Sequence, residues 1–264
     1  MPHKKDVMNL YNSHGNHLPQ PRIKALRVLQ GKDFNIKIPR FSSGKIAVAL
    51  SGGVDSLVAA WLLKQAEHDV MGIHFLTGYE KKNLDIKPIA HQLNIPVYTV
   101  DLRDAFERDV VSYFIKSHRM GKTPNPCMIC NKKIKFGVLY DAAAKLGADM
   151  LATGHYAGVR YGSDGKPYLI KARDPLKDQS YFLAMLSRKQ LEHALFPLAD
   201  FTKQEVLAIA KRNGLHPLEK VESQDICFVH GRSFADFMES KGEAFPEGEI
   251  VNLENEVIGI HRGL

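Results

Sequence analysis

Cysteine and tryptophan are scarce in this chain, with three cysteines and one tryptophan among 264 residues. Three thiols cannot all pair within one chain, so a disulfide-framed scaffold is excluded and the thiols point to chemistry or ligation. Long apolar runs are missing as well. No stretch approaches the roughly 20 apolar residues that a bilayer span needs, and the opening Met-Pro-His-Lys-Lys-Asp has no apolar signal core behind it. The expectation is a cytoplasmic protein with no membrane partner. Internal repeats and low-complexity tracts are absent. What remains is an ordinary globular composition, 44% hydrophobic and 25% charged, long enough for one or two domains with a substantial core.

The net charge of +7 is unevenly spread. Residues 1–44 hold Lys4, Lys5, Arg22, Lys24, Arg27, Lys32, Lys37 and Arg40 against Asp6 and Asp33, so nearly all of the excess lies in this arm. A basic arm beside a neutral body can contact a phosphate backbone, or can be a solvated tail.

From Lys45 onward, short apolar runs alternate with helical periodicity. Strands are expected at Ile46–Leu50, Val70–Phe75, Val97–Val100 and Met150–Thr153. Helices are expected at Leu57–Gln65, Ile86–Leu93, Ala105–His118 and about Lys132–Leu146. This pattern predicts an α/β fold, a mainly parallel sheet with helices on both faces, over residues 45–160. Residues 161–247 read as a small helical lobe, with helices at Gln179–Leu186, Arg188–Leu195, Lys203–Asn213 and Phe234–Ser240. Residues 248–264 read as a short β-like remnant.

Ser51-Gly52-Gly53-Val54-Asp55-Ser56 falls between the first strand and the first helix of the α/β region, at a carboxyl strand end where open sheets bind ligands. Adjacent glycines let backbone N–H groups turn toward an anion, two serines add hydroxyls, and the helix adds its positive end. The spacing is not that of the Walker loop or of the dinucleotide fingerprint. Such a nest suits pyrophosphate, and Asp55 makes sense beside it as a ligand of Mg²⁺.

Cys127 and Cys130 lie in Thr123-Pro124-Asn125-Pro126-Cys127-Met128-Ile129-Cys130-Asn131, just before a basic helical run; Cys227 is far downstream. A helix start favours thiolate, which makes Cys130 a candidate low-pKa nucleophile. Two chemistries remain open for the trio. In one, Cys227 carries a persulfide that Cys130 resolves by exchange. In the other, Cys127, Cys130 and Cys227 ligate a 4Fe-4S cluster. A zinc site would want a fourth ligand, for which His155 or His230 can be named.

The six-residue loop resembles the signature of the PP-loop ATP pyrophosphatases, which have an adenine nucleotide alpha hydrolase-like fold. The ordered motifs beyond it narrow the choice: Thr-Pro-Asn-Pro at 123–126, Cys-Asn at 130–131, Ile-Lys-Phe at 134–136, Ala-Thr-Gly-His-Tyr at 152–156, Lys-Asp-Gln-Ser-Tyr-Phe-Leu at 177–183, Phe-Pro-Leu at 196–198 and Ile-Cys-Phe at 226–228. Together they resemble the tRNA-uridine 2-sulfurtransferase (tRNA-specific 2-thiouridylase) family. That resemblance implies ATP-dependent thiolation of the wobble uridine of tRNA at C2 through an adenylated intermediate, with sulfur from a donor protein, a desulfurase or a sulfur-relay system.

Carried over residue by residue, the resemblance implies ATP contacts at Ala49, Leu50, Ser51, Gly52, Gly53, Val54, Asp55, Ser56 and Gly154, with Phe75 on the adenine side. It makes Cys130 the nucleophile and Cys227 the persulfide carrier. Asn125, Pro126 and Cys127 then face the target base, and His155, Lys177, Asp178 and Gln179 contact tRNA. Many members have Asp at the position of Cys127, which favours the cluster reading here. Members continue beyond a Gly-x-His-x-Gly segment into a β-barrel and a tRNA-binding domain, whereas this sequence ends at Gly259-Ile260-His261-Arg262-Gly263-Leu264, so those domains are not expected in it. Two other functions stay open: an adenylating sulfurtransferase acting on a small molecule or protein, and a non-catalytic nucleotide-regulated RNA-binding or iron-sulfur protein.

Overall fold

The structure is a computed structural model. It describes residues 23–31, 34–41, 44–80, 85–219, 226–229, 231–243, 246–261 and 263, the first two segments by their backbone alone. The basic arm thus falls partly outside the described residues. Its described part is not a featureless tail: β1 (Ile23–Gly31) and β2 (Phe34–Phe41) pair as an antiparallel hairpin.

The α/β region follows. β3 (Lys45–Ala49) leads into α1 (Val54–Gln65), then β4 (Asp69–Leu76), α2 (Lys87–Leu93) and β5 (Val97–Asp101). A long helical stretch comprises α3 (Arg103–Phe106), a π-helical turn (Glu107–Val111) and α4 (Ser112–Arg119). A second comprises α5 (Pro126–Ile129), a π-helical segment (Cys130–Leu139) and α6 (Tyr140–Lys145). β6 (Ala148–Ala152) re-enters the sheet, and β7 (Ala157–Tyr161) pairs with β8 (Pro167–Lys171). Then come α7 (Ser180–Leu183), α8 (Arg188–Glu192), β9 (Ala194–Leu195), α9 (Lys203–Arg212) and α10 (Phe234–Ser240). The hairpin of β10 (Gly248–Val251) and β11 (Val257–His261) follows.

Five strands form one parallel sheet in the order β5-β4-β3-β6-β9. The chain builds outward from β3 to β5 on one side and then crosses to β6 on the other. The carboxyl end of β3 is therefore the switch point where ligands bind in such sheets. Alternation along β3 feeds two cores: Ile46 and Val48 pack with α1, α2 and α9, while Ala47 and Ala49 pack with the two interrupted helices and α10. Both faces of the sheet are covered, as the sequence pattern predicts.

Three expectations need correction. Residues 194–195, read as the end of a helix, form the edge strand β9 beside β6, because Ala194 and Leu195 reach Leu151 and Ala152 in parallel register. The helix expected over Gln179–Leu186 is the single turn α7. The helix expected from about Lys132 begins at Pro126, where Pro fits the first turn and the Asn125 carboxamide oxygen caps by accepting from Met128 N at 3.3 Å. Among the described residues no helix is long and apolar enough to cross a membrane.

Candidate functional site

The phosphate loop opens where β3 ends. Gly52 has φ of +90°, a conformation that favours glycine, and Gly53 caps α1 without a side chain, so no side-chain bond occupies the helix N-terminus. Ser56 Oγ donates to Gly53 O at 3.0 Å and lies 3.3 Å from Ser51 Oγ, which fixes the curl of the loop. Leu50 and Ala49 are buried beneath it. The Leu50 carbonyl accepts a hydrogen bond from His74 Nδ1 at 2.8 Å, which ties the base of the loop to β4. Phe75, next along β4, is half-buried against the second core.

Asp55 does not stand free for a cation. Lys203 Nζ lies 2.7 Å and 2.8 Å from its two carboxylate oxygens, and Tyr156 Oη donates to Oδ1 at 2.9 Å. The Lys203 side chain is only 12% exposed. In this arrangement the carboxylate already has a counter-ion, and the residues do not fit a Mg²⁺ held by Asp55. No step below is routed through that metal.

The segment after β6 joins the loop to the thiols. A Cβ on Gly154 would lie 2.7 Å from Ser56 N and 2.8 Å from the Asp55 carbonyl carbon, so only glycine lets this strand end press against the loop. His155 turns the other way. Lys135 Nζ, which can only donate, faces His155 Nε2 at 3.5 Å, and His155 Nδ1 lies 2.7 Å from Thr153 Oγ1. The ring is therefore neutral with its hydrogen on Nδ1. Burial, and then the charge of Lys135, holds its pKa well below the ordinary histidine value. Tyr156 pairs with Gln179 through both backbone groups: Tyr156 N donates to Gln179 Oε1 at 3.0 Å, and Gln179 N donates to Tyr156 O at 2.8 Å.

Cys130 begins the π-helical segment one turn inside the helix that starts at Pro126, and this displaces it from the helix N-terminus. Burial pushes its thiol up to about 11, against an opposing pull from Lys135. This overturns the expectation of a low-pKa nucleophile: the dipole acts mainly on the first turn, and desolvation of the thiolate outweighs it. Cys127 is also shifted upward by burial, with Lys135 again opposing. Cys227 is pushed up to about 12, first by burial and then by the charges of Cys130 and Cys127. The three thiols and Lys135 are thus close enough to sense one another. Even so, among the described residues no three His, Cys, Asp or Glu side chains gather closely enough to hold a metal ion. His230 lies outside the described residues.

Cys227 is placed by the residue after it. Phe228 is 4% exposed and its ring centroid lies 5.2 Å from Phe114, 5.3 Å from Phe237 and 5.8 Å from both Phe106 and Tyr79. This aromatic cluster anchors Cys227 at the rim of the second core, where the residue keeps exposed surface while neighbouring protein crowds its sulfur. The cysteine helix is tied down separately. Asn131 Nδ2 donates to Phe182 O at 2.9 Å, and Gln190 Nε2 donates to the Lys132 and Phe136 carbonyls at 2.6 Å and 2.8 Å. The two Gln190 bonds fall on carbonyls within the π-helical segment, where i→i−4 bonding is interrupted.

The remaining expected tRNA contacts also carry bonds within the fold. Asp178 Oδ1 accepts from Ala172 N at 2.8 Å, and Asp178 Oδ2 accepts from Ser180 Oγ at 2.7 Å. Lys177 is half-buried and its N–H bonds Asp174 O at 3.2 Å. Pro126 is buried in the first turn of α5, and Cys127 beside it is exposed. Residues 153–156 are therefore the junction: Gly154 meets the phosphate loop, His155 meets Lys135 on the cysteine helix, and Tyr156 joins Asp55 to the segment at 177–179. Sequence reasoning missed Lys203, Lys135, Gln190 and Tyr156.

Three similar proteins are each named tRNA-specific 2-thiouridylase MnmA. That of Desulfosudis oleivorans is 50% identical over 226 residues, covering 84% of this chain and 63% of its own length. That of Geotalea uraniireducens is 43% identical over 237 residues, covering 83% and 63%. That of Moorella thermoacetica is 44% identical over 233 residues, covering 82% and 65%. The chain spans just under two thirds of the length of these relatives. With residues 44–231 matching the family model described as the tRNA methyl transferase HUP domain, the chain belongs to the PP-loop family of tRNA-specific 2-thiouridylases.

Proposed function

We propose that the chain catalyses ATP-dependent thiolation of the wobble uridine of a tRNA at C2. The observation that supports this reading is the segment at residues 153–156, where Gly154 packs on the phosphate loop and His155 faces Lys135 on the cysteine helix, in a chain whose relatives are named 2-thiouridylases.

In this reading the uridine O2 attacks the α-phosphorus of ATP, the bond to the bridging oxygen breaks, and pyrophosphate leaves. The uncapped N-terminus of α1 and the loop N–H groups meet the charge that develops there. The base now bears an adenylate at O2. A donor protein has loaded Cys227 as a persulfide, and its terminal sulfur attacks C2. The C2–O2 bond breaks and AMP leaves, with the base joined to Cys227 through a disulfide bond. Cys130 then attacks the Cys227 sulfur, the bond from that sulfur to the base sulfur breaks, and the departing 2-thiouridine takes up the proton that Cys130 gives up. A Cys130–Cys227 disulfide remains, and a dithiol reductant must return it to two thiols before the next cycle.

The test combines the chain with ATP, tRNA and a persulfide-loaded desulfurase. Pyrophosphate release should require tRNA, and 2-thiouridine should appear in a nuclease digest. Cys130→Ser should still release pyrophosphate while the RNA stays tethered to Cys227 until a reductant is added. Pyrophosphate release that is indifferent to tRNA would overturn the proposal.

A further inference from the structure

An open groove of about 590 Å³ is lined by residues just before the cysteine helix and by Lys133 within it. One wall is the helical stretch through the first π-turn and α4, where Arg108, Ser112 and Lys116 recur at four-residue steps. The other wall is the loop carrying Lys122, Thr123 and Pro124 together with Lys133 from the cysteine helix. Four cations face one another across the groove, and Asp109 is its sole carboxylate.

That carboxylate fixes two of the cations without cancelling the set. Arg108 Nη2 lies 2.6 Å from Asp109 Oδ2 and Lys133 Nζ lies 3.2 Å from Oδ1, a pair of bonds that spans both walls. Lys116 and Lys122 are exposed and make no ion pair among the described residues. The groove therefore keeps a surplus of positive charge, with hydroxyls of Ser112 and Thr123 beside it. The loop that forms its second wall continues through Asn125 into α5, which carries Cys127.

We infer that this groove is a binding site for the phosphodiester backbone of the RNA next to the reacting uridine; the inference rests on the proposed function and says where its substrate lies. A polyanion is the occupant that the lining favours. Cations on two opposed walls match a charged ribbon running between them, hydroxyls complement phosphate oxygens, and Lys is a flexible point donor to phosphate. An apolar anchor from a protein partner would find little to grip, since Met120 is the only exposed large aliphatic side chain in the lining.

The test uses the full chain and a tRNA transcript, with binding followed by fluorescence anisotropy across a KCl series. Each phosphate contact adds about 0.7 to about 0.9 to the slope of log affinity against log salt. Lys116→Gln/Lys122→Gln should weaken RNA binding roughly tenfold near physiological salt and lower that slope by about 1.5, while ATP affinity and the thermal midpoint stay at wild-type values. A wild-type slope in the variant overturns the inference, as does a variant whose only defect is in sulfur transfer from the donor protein, which would mark the groove as a protein-docking surface. Pyrophosphate release indifferent to tRNA in the wild-type chain overturns the proposed function instead, and the two failures are thereby told apart.

Discussion

Lys203, the first residue of α9, places its ammonium 2.7 Å and 2.8 Å from the two carboxylate oxygens of Asp55 in the phosphate loop, across 148 residues of sequence. The Thr202–Glu205 capping box, in which Thr202 Oγ1 accepts from Glu205 N at 3.3 Å and Glu205 Oε2 accepts from Thr202 N at 2.7 Å, sets where that lysine starts its helix. The pair joins the helical region to the loop and is mostly shielded from water, with side chains 12% and 30% exposed. Removing one partner leaves a half-buried charge unpaired. Lys203→Met should therefore cost about 1–3 kcal/mol in a urea titration, and the double variant with Asp55→Asn should recover about 1 kcal/mol of that loss. Mg²⁺ without nucleotide should leave the wild-type melting temperature unchanged, because the Asp55 oxygens are already engaged.

Gly154 offers a sharper test of the loop's shape. A methyl group there would meet backbone atoms, Ser56 N at 2.7 Å and Asp55 C at 2.8 Å, which cannot rotate aside as a side chain could. Gly154→Ala should push β6 away from α1, costing about 1–3 kcal/mol, and should weaken ATP binding by more than tenfold in calorimetry. Gly165→Ala is the control for added bulk alone, since nothing lies within 4 Å of its built Cβ; its φ of +71° adds local strain far from the loop.

The sheet and its loop were legible because their signals are local. Four-to-eight-residue apolar runs, a Gly-Gly turn and a helix at the next position announce β3, the loop and α1 within twenty or so residues. β9 was not legible: two residues carry no periodicity, and only the neighbouring edge of β6 makes them a strand. The hairpin over 23–41 does alternate, at Leu26 and Val28 and again at Ile36 and Ile38, but interspersed basic residues mask that signal. The cysteine motif was legible as chemistry and misread as electrostatics. Its helix starts six residues earlier than the basic run suggests, and Cys130 packs against a core cluster containing Ile134 and Phe136 that no spacing rule reveals. Lys203 and Gln190 were invisible for a related reason: each acts on atoms more than fifty residues away.

The thiols should be sluggish in the nucleotide-free protein. Burial raises Cys130 from 9.0 to about 11 and Cys227 to about 12, so the folded chain holds these protons through neutral pH. A group raised on folding favours the folded state below its unfolded pKa, and that contribution is lost as pH rises from about 9 through 11. Alkylation of Cys130 by iodoacetamide, followed by peptide mass spectrometry, should be slow at neutral pH and climb toward pH 11. Lys135 opposes the shift at all three thiols. Lys135→Met should therefore leave roughly three- to tenfold less thiolate at a given pH, and Lys135→Arg should restore most of the rate. A rate unchanged in Lys135→Met would show that this ammonium does not act on the thiols.

His155 gives the opposite sign on the acid side. Its ring is held neutral between the Lys135 ammonium and the Thr153 hydroxyl, and burial sets its pKa well below 6.5. The unfolded chain takes up a proton near that ordinary value and the folded chain does not, so stability contributed by the neutral ring is present above about pH 6.5 and is lost as the pH falls below it. Each pH unit in that window costs up to about 1.4 kcal/mol. Urea midpoints measured at pH 7.5 and pH 5.5 should fall further for the wild type than for His155→Gln, which has no proton to refuse. If the two chains lose the same stability on acidification, His155 takes up its proton as readily folded as unfolded, and the Lys135–His155–Thr153 chain cannot have the hydrogen arrangement described above.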